Sequence, residues 1–230
     1  MPNVASRLAE VKERIARAAA GCGRDPMTVT LVAVSKTVSA NRILEAISAG
    51  VTDIGENYVQ EANKKINALR QQDVAWHFIG HLQTNKAKHA VQLFDLIHSV
   101  DTLKLAKELN KRAQSMKKTQ DILVQVNISG EQTKSGVGTS RSVDLIRRIA
   151  GLENLCVRGL MTMPPFFNAP NLVRPYFKAL NDLGQCVRRE AIPRVHMTEL
   201  SMGMSGDFET AIEEGATLVR VGTAVFGARE

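Results

Sequence analysis

Hydrophobic positions along this chain follow two alternating rhythms. Short runs rich in apolar and β-branched residues lie near 29–35, 52–55, 76–80, 96–100, 122–128, 157–161, 195–201 and 218–221. Between them, apolar positions recur three and four residues apart, as in RILEAISA (42–49) and VDLIRRI (143–149). Compact apolar runs predict strands, and the longer period predicts helices. Strand alternating with helix predicts parallel strands joined by crossovers. Eight such units predict an α/β fold, a (β/α)8 TIM barrel, although 230 residues is short for one. No Gly, Pro or Ser-rich linker interrupts the pattern, so one domain is expected over residues 1–230. Val4, Leu8, Val11 and Ile15 mark an amphipathic helix within residues 1–20, expected to pack on the barrel. It is placed to cover the last sector, because the tail from Ala224 is too short for a full helix.

The alternative is an open, doubly wound sheet, which normally carries a glycine-rich turn after its first strand. Here that turn is SKT (35–37), without glycine. The GVG at 136–138 follows the fifth strand and reads as a flexible loop.

Composition narrows the partners. The net charge is +7, but the basic residues are spread as pairs on helical stretches, such as Lys64 with Lys65 and Arg147 with Arg148. That is the signature of solvated helix faces rather than a nucleic-acid surface. Cys22, Cys156 and Cys186 have neither disulfide-framework nor zinc spacing. No apolar run approaches the ~20 residues of a membrane span. The N-terminus has no signal core, so a cytoplasmic protein without a membrane partner is expected.

In a barrel of this kind, ligand chemistry collects where strands end. Those ends hold Lys36, Glu56 with Asn57, Gly80 with His81, Ser99 with Asp101, Asn127 with Ser129, Met161 with Thr162, Ser201 to Ser205, and Gly222 with Thr223. Alternation puts Val32, Val34 and Lys36 on one face, with the amine at the lip of a buried strand. Desolvation favours a neutral lysine, and a neutral lysine condenses with aldehydes. SMGMSG (201–206) reads as a small-residue loop opening a helix, with Ser205 as its plain cap in the blander reading. With Gly222 and Thr223 it offers a phosphate cradle after the last two strands, where Ser201, Met204 and Ser205 are further candidates. Lysine plus cradle suggests pyridoxal 5'-phosphate (PLP). Arg220 lies between two valines and is expected to turn inward. There it serves either the ring nitrogen of PLP or an ion pair with Asp53, Glu56 or Glu199. His77 and His81 lack a third ligand, so no metal is expected; His77 belongs inside the barrel and His81 at the rim. Three functions compete: a PLP-binding regulator, a PLP-dependent amino-acid racemase or decarboxylase, and a cofactor-free aldolase acting on a sugar phosphate through Lys36.

Longer motifs then match a known family along nearly the whole chain. They are LVAVSKT (31–37), IGENYVQ (54–60), WHFIGHLQ (76–83) with Asn85 and Lys86, QVNI (125–128), KSG (134–136), RGLM (158–161), LSMGMS (200–205) and VRVGTAVFG (219–227). The chain resembles the pyridoxal phosphate homeostasis proteins, the YggS/PROSC family. The resemblance implies a single barrel like the cofactor domain of alanine racemase, with PLP on Lys36 as a Schiff base. It implies phosphate contacts from Ser201 and the Gly222–Thr223 region and Arg220 at the ring nitrogen. Asn57, His81, Met204 and Ser205 complete the expected cofactor contacts. It also implies a role in vitamin B6 and amino-acid homeostasis without robust catalysis, with apo PLP-dependent enzymes as candidate acceptors of PLP from a monomer. A racemase would use a tyrosine from a second domain, and this chain has only Tyr58, near the rim, and Tyr176.

Overall fold

The computed structural model describes residues 3–165 and 169–227, with the side chains of residues 170 and 171 outside that description. The chain opens with α1 (Val4–Gly21), capped by Asn3, whose side chain accepts the Ser6 N–H at 2.8 Å. Asparagine at this position satisfies a donor that the helix itself leaves open. The buried stripe Val4, Leu8, Val11, Ile15 and Ala19 sets which side of α1 faces the protein.

Strands then alternate with helices: β1 (Thr30–Val34), α2 (Ala40–Ser48), β2 (Asp53–Glu56), α3 (Val59–Ala68), β3 (Ala75–Phe78), α4 (Ala87–Leu93) and β4 (Leu96–Val100). They continue with α5 (Leu103–Ser115), β5 (Gln120–Asn127), β6 (Val137–Gly138), α6 (Thr139–Ala150), β7 (Leu155–Met161) and α7 (Arg174–Arg189). The chain ends with β8 (Val195–Met204), α8 (Phe208–Glu213), β9 (Leu218–Val221) and α9 (Thr223–Phe226). All pairings are parallel, in the order β4-β3-β2-β1-β9-β8-β7-β5-β6, and a β4–β5 pairing closes the ring. Eight strands make the barrel, and β6 is a short addition on β5. Helix α1 lies against α2, α8 and the four-residue α9. The last three residues of the tail lie outside the described residues.

The core has two parts. A large apolar cluster joins strands to helices, and a small one, Val32, Leu96, Leu123, Met161 and Leu218, fills part of the barrel interior. Polar side chains, among them His77, His98, Ser201 and Arg220, occupy another part of it.

Three local expectations need correction. The segment at 136–138 is not a free loop, because Val137 and Gly138 pair with Val126 and Asn127. Ser201 to Met204 is not a loop either. It is the end of β8, and the register slips between Ser201 and Met204 where it pairs with β9. Gly203 sits in that slip at φ 88°, and a Cβ there would meet the Ala211 Cβ at 2.6 Å. Helix α8 starts at Phe208 with Asp207 as its cap residue, so Ser205 does not cap it.

Candidate functional site

Lys36 follows β1 in a tight turn closed by the Val38 N–H on the Ser35 carbonyl at 2.9 Å. Thr37 takes φ 64°, the sign that the third position of a type II turn demands and glycine usually supplies. A β-branched residue held there stores about 1–3 kcal/mol. The turn is clamped from outside the barrel. Glu61 of α3 accepts the Thr37 N–H at 2.6 Å. Lys65 of α3 donates to the Ser35 carbonyl, Glu56 and Glu61, each at 2.6 Å. The Ser35 hydroxyl donates to Glu56 at 2.5 Å. Burial pushes the Glu56 carboxyl up, and Lys65 and Ser35 pull it back. Both residues flanking Lys36 are thus fixed, while half-buried Lys36 has no partner among the described residues.

Gly222 lies beside the end of β1, where a Cβ would come within 3.3 Å of the Val34 carbonyl. Lys36 and the Gly222–Thr223 corner are therefore neighbours at one end of adjacent strands. Met204 and Ser205 are half-buried, and Thr223 is exposed. Asn57 and exposed His81 line a cavity of about 360 Å³ at the same end of the barrel, with Gln125 and Lys134. Gly80 lets the chain turn there, because a Cβ would fall 2.2 Å from the Asn57 carbonyl oxygen. The Asn57 Oδ1 is buried without a partner among the described residues. Tyr58 is 61% exposed.

Arg220 is inside the barrel, 4% exposed. It makes no ion pair with Asp53, Glu56 or Glu199. Instead it donates to the Ser201 hydroxyl at 2.5 Å and the Thr162 carbonyl at 2.9 Å. Burial pushes its pKa down to about 10, and the field of Asp207 only partly opposes this. Asp207 is occupied by the Met204 N–H at 2.6 Å. A buried guanidinium bonded only to neutral acceptors still has donors to give.

His77 lies in the barrel, as expected, but with company that the sequence reading missed. Its Nε2 is 3.1 Å from Asp53 and its Nδ1 is 3.0 Å from His98 Nε2. His98 Nδ1 is in turn 2.9 Å from the Ser201 hydroxyl. In β4, Leu96 and His98 share one face, which was the available signal for His98; its partners depend on closure of the ring. Fully buried Ser201 faces this network rather than a loop surface. Among the described residues, no cluster of three or more His, Cys, Asp or Glu is arranged for a metal. No helix among them is long and apolar enough to cross a membrane.

A closed parallel barrel with a clamped lysine at one strand exit and an inward arginine on the neighbouring strand defines a class. The model of the alanine racemase N-terminal domain matches residues 7–230. A pyridoxal phosphate homeostasis protein of Aquifex aeolicus is 46% identical over 228 residues, covering 99% of both chains. One from Escherichia coli K12 is 41% identical over 235 residues, covering 100% of this chain and 98% of the other. The solved structure of PipY from Synechococcus elongatus PCC7942 with PLP bound superposes with a TM-score of 0.86 at 35% identity, covering 98% of this chain and 100% of that one. This chain belongs to the pyridoxal phosphate homeostasis protein family, within the alanine racemase N-terminal domain class.

Proposed function

We propose that this protein holds PLP through Lys36 and serves cellular PLP and amino-acid homeostasis rather than amino-acid turnover. The observation that carries the reading is the buried Arg220, bonded only to neutral acceptors, on the strand beside the partnerless Lys36. PLP supplies an aldehyde for an amine, a dianion for a cradle, and a ring nitrogen that accepts a hydrogen bond. Lys36 is the free amine. Gly222 and Thr223, beside the end of β1, with Ser205 and Met204 at the end of β8, would supply the phosphate cradle, the Met204 N–H being already given to Asp207. Arg220 has donors left for the ring nitrogen, and it retains its proton there because even about 10 is far above neutrality. A donor that keeps its proton leaves the ring nitrogen unprotonated, which weakens the ring as an electron sink. Asn57 and His81 border the neighbouring cavity and complete the proposed contact set. The racemase alternative lacks a suitably placed second acid/base: Tyr58 points to solvent and Tyr176 lies on α7.

The test is a titration of wild-type and Lys36→Ala protein with PLP, followed by visible absorbance and by assays of L-amino acids for loss of chirality, transamination and decarboxylation. A saturable visible band that requires Lys36, without saturable turnover, is expected. Robust turnover dependent on Lys36 would replace the homeostasis reading with the enzymatic one. Delivery of PLP to an apo PLP-dependent enzyme would extend the reading to carriage.

A further inference from the structure

One hydrogen-bonded chain crosses the barrel from one end towards the other: Asp53, His77, His98, Ser201, Arg220. His98 on β4 and Ser201 on β8 are on strands that do not pair, so their contact runs through the interior. We propose that Asp53, His77 and His98 are positioning residues that lock the Ser201 hydroxyl and, through it, Arg220 in one orientation beneath the cofactor.

The two ends set the direction. Arg220 can only donate, so Ser201 Oγ accepts from it. Asp53, held below the ordinary carboxylate range against its own desolvation by bonds from His77 and Thr52, can only accept. His77 therefore carries its proton on Nε2. Burial, with His77 and Arg220 nearby, holds His98 neutral, so it has one proton to place. With that proton on Nε2, His98 donates to His77 Nδ1, and its own Nδ1 accepts from the Ser201 hydroxyl. Every link then has one donor and one acceptor. The reversed chain requires His77 to carry both protons, adding a second cation to an interior that already holds Arg220.

This direction changes what Ser201 does. Its proton is committed to His98, and its oxygen accepts Arg220. Ser201 thus holds the arginine and offers no proton to a phosphate, which leaves the cradle to Ser205, Gly222 and Thr223, since the Met204 N–H is already given to Asp207. The far end of the chain reaches solvent: Asp53 lines a cavity of about 380 Å³ with Lys12, Thr30 and Thr52 at the opposite face of the barrel.

The inference rests on the PLP reading only for its effect on the cofactor, so the test has two arms. The first uses wild-type protein without PLP and reads the ¹⁵N chemical shifts of the histidine rings at neutral pH. Proton on Nε2 and bare Nδ1 are expected for both His77 and His98. An Nδ1–H His98 or a doubly protonated His77 would overturn the stated direction whatever the protein binds. The second arm compares PLP affinity of wild type, His98→Leu and His98→Gln. Glutamine can accept from Ser201 and donate to His77, whereas leucine can do neither. Leucine should weaken PLP about tenfold, equivalent to ~1.4 kcal/mol, and glutamine should recover most of that. Unchanged affinity in a folded His98→Leu protein, or equal loss in both variants, would overturn the positioning role. If leucine prevents folding, glutamine alone decides: near-wild-type affinity supports the relay, and a tenfold loss contradicts it. If wild type itself binds no PLP, the cofactor reading and the positioning role towards it both fail, while the ring shifts still judge the chain's direction.

Discussion

At the scale of single residues, the structure separates two cations that the sequence presents as a pair. Lys36 is half-buried without a partner among the described residues, whereas Arg220 is buried among neutral acceptors. Lowering an arginine from its ordinary value to about 10 corresponds to a cost of roughly 3 kcal/mol for keeping it charged. Replacing a poorly neutralised buried charge with an apolar side chain of similar length is often neutral or stabilising. Arg220→Met is therefore expected to leave the thermal midpoint of the cofactor-free protein unchanged or higher while weakening PLP strongly. Calorimetry with and without PLP checks both. A protein destabilised by several kcal/mol that still binds PLP normally would show that Arg220 is structural. Arg220 was legible in the sequence as an inward residue, because strand alternation between Val219 and Val221 turns it there, whereas Lys36 stands in the turn beyond β1, where alternation no longer fixes a side chain's direction. The partners of Arg220 were not legible. Ser201 on β8 and Thr162 just after β7 bond it, and His98 on β4 reaches it only through Ser201, so the meeting depends on register and ring closure rather than on local pattern.

At the scale of elements, α3 holds the β1 turn. The Glu61 to Lys65 spacing on one helix face was readable, but the reach of Lys65 past it to Ser35 and Glu56 follows only from how α3 docks. Removing one member of a buried ion pair leaves the other uncompensated. Lys65→Met should destabilise the fold by about 3–5 kcal/mol, and adding Glu56→Leu should restore much of that loss. Denaturant unfolding of the two variants gives the comparison. If the single variant costs under ~1 kcal/mol, the clamp is not a major source of order in the turn. The same scale explains the misread segments. Small residues at 201–206 look like a loop, yet β9 and β7 supply pairing partners that carry β8 on to Met204. Val137 and Gly138 are too short to announce a strand and exist as one only because β5 runs alongside.

At the scale of the whole molecule, the alternation of strand and helix was enough to read the barrel, since right-handed crossovers leave parallel strands few other arrangements. The closing β4–β5 contact was implied by that count rather than visible in either strand. Closure has an electrostatic consequence, because it shuts His98 into an interior where it stays neutral, its pKa held well below 6.5. The folded pKa is depressed, so the unfolded chain takes up a proton near its ordinary value of about 6.5 that the folded protein refuses. Stability from this group is complete above that value and is lost as pH falls below it, by about 1.4 kcal/mol per pH unit. Unfolding free energies between pH 7 and 5 should show this slope, and it should flatten in His98→Gln. An equal slope in that variant would assign the acid sensitivity to other groups.

The claim on which the rest depends is that Lys36 is the amine that holds PLP. Borohydride reduction of the PLP-loaded protein, followed by proteolysis and mass spectrometry of the peptides, tests it most directly. The account predicts one dominant reduced pyridoxyl phosphate adduct, on the peptide containing Lys36, and its disappearance in Lys36→Ala. A dominant adduct on another lysine, or no adduct on the wild-type protein, would contradict it.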